Sequence, residues 1–423
     1  MNNKKVALVT LGCKLNFAES SSIAQEFVRN GFTEVSQNQV ADVYIVNTCT
    51  VTEHSDKKCR NLIRKVHKLN PAAPIIVTGC YAQLKSEEIA GIEGVSKVFG
   101  QHGKSKVFDA AIALLNSAEY SNKVSCDNIF ESDEVYAAYS YGERTRSFLK
   151  VQDGCDYFCT YCTIPFARGH SRSVPADTII GQANELAAKG IKEIVLTGVN
   201  IGDYGKRGET LSFLQLLKRL NSVKGIERYR ISSIEPNLLT DEIIDWIASG
   251  TKFQPHFHIP LQSGCDSTLS RMKRKYTTAV FKEKINYIRE KMGDVFFGID
   301  VIVGFPGESD EEFEQTYRLL AEEVRPAFIH IFPYSRRTGT IADKMPGQIK
   351  ESVKSERVKR LEDLCGKLHN EYIARFKGTK QEVLFESTVK GGKIAGYTGN
   401  YIRMEQPFSK ELIGKIVTVE MNR

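Results

Sequence analysis

The chain has 423 residues, of which 41% are apolar and 26% charged, and its formal net charge is +7. That length exceeds one ordinary core and points to two or three domains. The composition shows no low-complexity tract or internal repeat, which excludes a disordered or fibrous protein. The modest positive charge permits a polyanionic partner without requiring one.

The longest apolar stretch, 295–305, carries Asp300 and falls short of the roughly 20 residues of a membrane span. No membrane span is therefore expected. Met1-Asn2-Asn3-Lys4-Lys5 leads straight into an apolar run with no signal segment, so a cytoplasmic protein is expected. In that reducing compartment the ten cysteines read as thiols or metal ligands rather than as disulfides.

In chain order, the first segment three times sets an apolar strand-like run before a cysteine and a helical pattern. Residues 6–11 precede Gly12-Cys13, 43–46 precede Asn47-Thr48-Cys49, and 75–78 precede Gly79-Cys80. Such alternation predicts a Rossmann- or flavodoxin-like α/β domain whose neighbouring strand ends open on a common crevice. Three cysteines can then meet at one edge, although for any single one core packing is the better explanation of a buried thiol. Residues 116–146 are polar and irregular, as a connector is. The first domain is expected over 1–140.

The second segment, 141–376, repeats the alternation. Candidate strands are 148–151, 194–197, 229–232, 256–259, 295–303 and 328–332. Helical runs are 176–189, 211–220, 241–248, 279–291 and 311–323. Six units predict a partial (β/α)6 barrel with its strand-to-helix loops on one face.

Charged helical sequence at 351–376 then gives way to short alternating strands at 381–387, 401–405 and 415–420. These read as a small all-β barrel over 377–423. It carries Lys377, Lys380, Lys390, Lys393, Arg403, Lys410, Lys415 and Arg423 among Phe385, Tyr397, Tyr401 and Phe408. Cations suit phosphates and rings suit unstacked bases. A solubilising surface over a small core fits the same composition equally well.

The chemistry is in the loop after the first barrel strand, where Cys155, Cys159 and Cys162 are spaced Cys-x3-Cys-x2-Cys. A [4Fe-4S] cluster ordinarily takes four thiolates. Three leave one iron open, and the amine and carboxylate of S-adenosylmethionine (SAM) can chelate it. An electron from the cluster then breaks the sulfonium bond, giving a 5′-deoxyadenosyl radical. A Cys3His zinc site with His170 is the alternative, weakened because structural zinc ligands generally come as separated pairs.

The spacing, with Tyr161 just before Cys162, resembles the radical SAM superfamily. The resemblance implies that the Tyr161 ring lies against the adenine and that Gly198-Val199-Asn200 receives the methionine amine. Ser233 and Glu235 follow the third strand, Gln262-Ser263-Gly264 the fourth, and Val303-Gly304-Phe305-Pro306-Gly307-Glu308 the fifth, where a SAM-binding barrel needs ligands. Each run alone is weak, because glycine after a strand usually marks only a turn.

Thr10-Leu-Gly-Cys-Lys-Leu-Asn16, Asn47-Thr-Cys-Thr-Val-Thr52, Gly79-Cys-Tyr-Ala-Gln83 and the loop 154–169 extend the likeness. Nearly the whole chain resembles the radical SAM methylthiotransferases. This implies that Cys13, Cys49 and Cys80 bind an auxiliary [4Fe-4S] cluster and that the carboxy-terminal barrel is an RNA-binding TRAM domain.

The stretches 193–204, 228–236 and 256–265 look like the branch acting on N6-threonylcarbamoyladenosine (t6A). That branch methylthiolates carbon 2 of t6A next to the anticodon in tRNA, giving 2-methylthio-t6A. Phe17 and Ala18 stand where such sequences more often have glutamine and tyrosine, a departure that touches no ligand. Cys59, Cys126, Cys265 and Cys365 match no ligand position and read as ordinary thiols.

Carbon 2 of an adenine offers neither an acidic proton nor a leaving group, so a radical route is expected there. The family mechanism implies one SAM that methylates a sulfur on the auxiliary cluster and another that supplies the radical. Both clusters must then face one cavity. Expected partners are the tRNA anticodon stem-loop and a small-protein electron donor such as flavodoxin or ferredoxin, with the chain a monomer.

Candidate phosphate contacts are Arg271, Lys273, Arg274, Lys275, Arg336 and Arg337, beside Lys377, Lys380 and Arg403. For each of the first six taken singly, a solvated surface charge explains more. Arg336 or Arg337 is also the candidate cation for the threonyl carboxylate. Rival readings are methylthiolation of N6-dimethylallyladenosine (i6A) in tRNA, of a ribosomal-protein aspartate, or a non-enzymatic Fe-S protein that binds RNA and senses redox state.

Overall fold

The computed structural model describes residues 4–117, 122–131, 133–142, 145–207 and 211–421. Parts of the expected connector, and Arg423, lie outside the described residues.

The amino-terminal unit is a six-stranded parallel sheet in the order Thr33–Val35, Lys5–Thr10, Val43–Thr48, Ile75–Gly79, Val95–Phe99, Val124–Ser125. The strand order reverses between Lys5–Thr10 and Val43–Thr48, the kind of switch point at which doubly wound sheets bind ligands. Val43–Thr48 and Ile75–Gly79 are buried throughout, which explains the apolar runs 43–46 and 75–77 that open them. Val95–Phe99 escapes a periodicity reading because Lys97 interrupts it. The Lys97 ammonium donates to the Asn122 carbonyl at 2.8 Å.

Two three-stranded parallel sheets follow, ordered Arg228–Ile231, Glu193–Thr197, Ser147–Lys150 and His256–Gln262, Phe296–Val303, Phe328–Pro333. Bridges at Tyr229–Phe253 and Ser233–His258 join them into one open barrel. Helices Ala176–Ala188, Phe213–Asn221, Asp241–Ala248, Thr278–Met292 and Asp310–Arg318 cover the outside. Ser212 with Gln215, and Ser309 with Glu312, form reciprocal capping boxes that start two of these helices.

Helix Glu351–Ala374 leads to a four-stranded antiparallel sheet, ordered Arg403–Pro407, Lys393–Thr398, Lys380–Lys390, Ile416–Glu420. The small all-β barrel expected here is an antiparallel half-barrel. The two end strands do not pair with each other among the described residues, so the sheet is open. Strand Lys393–Thr398 escapes the sequence pattern, because Gly396 breaks its apolar alternation. A Cβ on Gly396 would lie 2.5 Å from the Leu384 carbonyl oxygen, so the two strands need that glycine to pair.

No helix among the described residues is long and apolar enough to cross a membrane. The three units are packed together. Phe17 meets Phe148 edge-on at 5.7 Å between centroids, and Ala18 is fully buried with Phe148 and Val195. The two departures noted at 17 and 18 thus form the apolar seam between sheet and barrel. Arg228 and Arg230, on a barrel strand, donate to carbonyls of Glu382, Thr398 and Gly399 in the carboxy-terminal sheet.

Candidate active site

Cys13, Cys49 and Cys80 follow the carboxyl ends of three adjacent strands, Lys5–Thr10, Val43–Thr48 and Ile75–Gly79. Gly12 has φ +109°, and a Cβ there would come 3.0 Å from the Cys49 Sγ. Only glycine lets this loop approach the second thiol.

Side-chain amides hold the edge. Asn16 Nδ2 donates to the carbonyls of Leu11 and Thr48 at 2.8 and 2.9 Å, and Asn47 Nδ2 donates to the Asn16 carbonyl at 3.0 Å. Burial, reinforced by the neighbouring thiols of Cys80 and Cys13, pushes Cys49 up to about 12. Burial also raises Cys80, against which Arg168 and Lys104 work. Those two cations favour bound thiolates, and ligation needs the thiolate.

The second loop closes just as tightly. Gly154 has φ +71°, and a Cβ there would lie 1.9 Å from the His170 carbonyl oxygen. The Cys155 N–H donates to Gly169 O at 3.1 Å. Backbone N–H groups of Tyr157 and Ile164 point at the sulfurs of Cys155 and Cys162, and Arg274 Nη1 donates to Cys159 Sγ at 3.1 Å. Donors aimed at sulfur are what an Fe-S site uses to stabilise its ligands. Burial pushes Cys155 and Cys162 up to about 12.

Among the described residues, only His258, Asp300 and His330 bring three His, Cys or carboxylate donor atoms within 4.8 Å of one another. Neither cysteine triad is contracted to single-ion spacing, and His170 pairs with Asp156 instead. The zinc alternative loses its fourth ligand. Both triads fit a cluster, whose thiolates bind separate irons.

The expected SAM-binding residues divide into groups. Gly198 and Ser233 line a cavity of about 850 Å³ that also receives Cys13 and Lys14 from the amino-terminal sheet and Tyr401 and Arg403 from the carboxy-terminal one. Val199 and Asn200 donate backbone N–H bonds to Gln152 Oε1 at 2.9 Å, and Gln152 Nε2 donates to the Gly154 carbonyl at 2.7 Å. Gln152, which sequence reasoning missed, ties the expected SAM-binding turn to the cysteine loop.

Glu235 pairs with Arg274, whose guanidinium also donates to the Tyr161 hydroxyl at 3.3 Å. The Tyr161 ring meets Phe305 edge-on. Gln262 is half-buried at φ +64°. Val303 is fully buried in the barrel core. Neither lines the cavity.

Several expected RNA contacts are committed elsewhere. Arg274 is corrected from a surface contact to a buried partner of Glu235 and Cys159, its side chain 3% exposed. Arg271 makes a two-point pair with Glu312 at 2.9 and 2.6 Å. Arg337 is held by Asp56 at 2.7 Å and Thr50 at 2.6 Å, and Arg336 by Asp343 at 2.9 Å. Lys377 and Lys380 are exposed, and Arg403 pairs with Glu405 at its rim.

A second feature missed from sequence is a buried ion cluster between the two cysteine sites. Glu19 accepts from Lys104 at 2.6 Å, Lys150 at 2.7 Å and Arg168 at 3.1 Å, while Asp153 accepts from Lys150 at 2.6 Å and Arg168 at 2.8 Å. Burial alone would raise the Glu19 carboxyl, but Arg168, Lys104 and Lys150 outweigh it and hold it well below the carboxylate range. Burial pushes Lys104 down to about 8 against the pull of Glu19. Glu19 lies on the helix that starts at Cys13, and Asp153 and Arg168 flank the other cysteine loop. The cluster therefore fixes one site relative to the other.

Residues 149–320 match the Radical SAM superfamily and residues 5–100 match the uncharacterized protein family UPF0004. Threonylcarbamoyladenosine tRNA methylthiotransferase MtaB of Bacillus subtilis is 42% identical, over 98% of this chain and 93% of that one. The chain belongs to the radical SAM methylthiotransferase family. Within it, MtaB of Thermotoga maritima is 38% identical over 95% of this chain and 91% of its own. A tRNA-2-methylthio-N(6)-dimethylallyladenosine synthase of Thermoanaerobacter pseudethanolicus is 35% identical over 97% and 89%. Among solved structures, the methyltransferase TsrM of Kitasatospora setae shares the fold at 14% identity, with a TM-score of 0.61 over 81% of this chain and 77% of that one.

Proposed function

We propose that this methylthiotransferase converts t6A next to the anticodon of tRNA to 2-methylthio-t6A by radical SAM chemistry. The observation that carries the reading is the single cavity into which Cys13 and the SAM-binding residues Gly198 and Ser233 both open. A sulfur donor and a radical source must reach one carbon atom, and proximity within one cavity supplies that.

Cys155, Cys159 and Cys162 would hold the SAM-binding [4Fe-4S] cluster, and Cys13, Cys49 and Cys80 the auxiliary one. Bound there, the two clusters with SAM supply hydrogen abstraction at an unactivated carbon and the sulfur that replaces it. The chain's residues do the rest. Gln152 orients the Gly198-Val199-Asn200 turn, Arg274 donates to Cys159, and the Glu19 cluster fixes the distance between the sites. At about 850 Å³ the cavity is within the range of small-molecule sites. Its walls come from all three units.

The units are assigned as 1–140 for the auxiliary cluster, 141–376 for the radical SAM barrel and 377–423 as a TRAM-like RNA-binding sheet. Lys377, Lys380 and Arg403 are the phosphate contacts this reading retains. The enzyme acts as a monomer in the cytoplasm, reduced by a flavodoxin- or ferredoxin-like protein. Expression in a bacterial strain lacking its own t6A methylthiotransferase tests this. Nucleoside mass spectrometry of its tRNA should show 2-methylthio-t6A restored, and t6A left unmodified would refute the reading.

A further inference from the structure

The active-site cavity of about 850 Å³ adjoins a second of about 350 Å³, and the two share Gly12, Cys13, Lys14, His256 and Tyr401. No aspartate or glutamate among the described residues lines either one. Their lysines and arginines are Lys14, Arg146, Arg230 and Arg403. Arg146 is paired with Glu386 at 2.8 Å, Arg230 with Glu193 at 2.7 Å and Arg403 with Glu405 at 2.6 Å. Lys14 alone of the four has no hydrogen bond or ion pair among the described residues. His258, the one lining histidine in an ion pair, already holds Asp300 at 2.6 Å. The cavity therefore presents the Lys14 amine, half-buried and with no hydrogen-bond or ion-pair partner among the described residues, on the residue after Cys13.

A half-buried cation facing an acid-free cavity calls for an anionic ligand group. The two adenosines modified by this family differ in that respect. The dimethylallyl arm of i6A is neutral and apolar, whereas the threonyl arm of t6A ends in a carboxylate. We infer that Lys14 is the specificity-determining contact, pairing its ammonium with the threonyl carboxylate of t6A. Arg336 and Arg337, the cations that sequence alone suggested for this role, are held by Asp343 and Asp56. The inference rests on the t6A reading above and assigns the residue that enforces it. Site discrimination by one buried charged pair is worth about tenfold to a hundredfold.

The test uses the enzyme reconstituted with both clusters. Wild type, Lys14→Gln and Lys14→Arg are assayed on a t6A anticodon stem-loop and on one whose threonyl carboxylate is a primary amide. Iron and sulfide content serve as the folding control. The amide should raise the wild-type KM at least tenfold. Lys14→Gln should raise the KM for the acid by a similar factor and change the amide little, and Lys14→Arg should recover part of the preference.

Equal KM for acid and amide in the wild type would overturn the proposal. So would a Lys14→Gln effect of the same size on both, which would assign Lys14 to a phosphate or to the cluster. If Lys14→Gln fails to retain both clusters, the Kd of the two stem-loops, read by anisotropy, replaces KM with the same outcomes. Wild-type enzyme that leaves the t6A stem-loop unmodified refutes the substrate reading itself, and is thereby distinguished from failure of the Lys14 contact.

Discussion

A thiol ligates and reacts only as thiolate, and burial holds Cys49, Cys155 and Cys162 near 12 when no metal is bound. Metal-free protein should therefore alkylate unevenly at pH 7. Peptide mass analysis after iodoacetamide is expected to find exposed Cys13 modified well before buried Cys49 and Cys80, and the buried pair gaining rate as pH rises toward 9. Equal rates at all three would contradict the burial argument. Cys13→Ala should lower iron content by about half, since one of two four-iron clusters is lost. SAM cleavage to 5′-deoxyadenosine should persist while methylthiolation disappears, as liquid chromatography with mass detection would read.

The cysteines were legible because their chemistry resides in residue type and spacing. Gln152 and Asn16 were not, because each acts on backbone groups that only the fold brings near. Arg274 is misleading in sequence for the same reason: its partner Glu235 is 39 positions away, and a lone arginine reads as surface charge.

Among the elements, the helix Lys14–Arg29 bears most on function, since it begins at Cys13 and carries Glu19 into the buried ion cluster. Glu19→Gln would leave buried cations under-compensated at a cost of about 3–5 kcal/mol, visible as a large loss of thermal stability. The pH dependence has a definite sign. The folded-state pKa of Glu19 is depressed, so its contribution is present above the unfolded value of about 4.3 and is lost as pH falls through the folded value. The melting difference between wild type and Glu19→Gln apoprotein should be full at pH 6 and shrink below about pH 4. A constant difference down to pH 3 would contradict the cluster's role.

The barrel strands were legible to within three residues, because parallel strands in such a barrel read as largely apolar runs between turn signals. The ion cluster was not, since Glu19 and Arg168 are 149 positions apart. Strand Lys393–Thr398 stays hidden in the sequence because its glycine serves strand pairing rather than a turn.

At the scale of the molecule, three units close one cavity. The carboxy-terminal sheet does so through Arg228 and Arg230 and through Tyr401, whose ring meets His256 at a tilt with 4.4 Å between centroids. If it also carries tRNA, the triple substitution of Lys377, Lys380 and Arg403 by alanine should weaken stem-loop binding regardless of the modified base. The salt dependence should flatten by about one unit of slope for each phosphate no longer neutralised. An unchanged slope would remove those residues from the RNA surface.

The most direct test of the whole reading is turnover by the reconstituted enzyme, with SAM and a strong reductant, on t6A-bearing and i6A-bearing stem-loops under anaerobic conditions. Product mass should show a methylthio group added to the t6A stem-loop and the i6A stem-loop left essentially unmodified. Methylthiolation of i6A alone, or of both at equal rates, would contradict it.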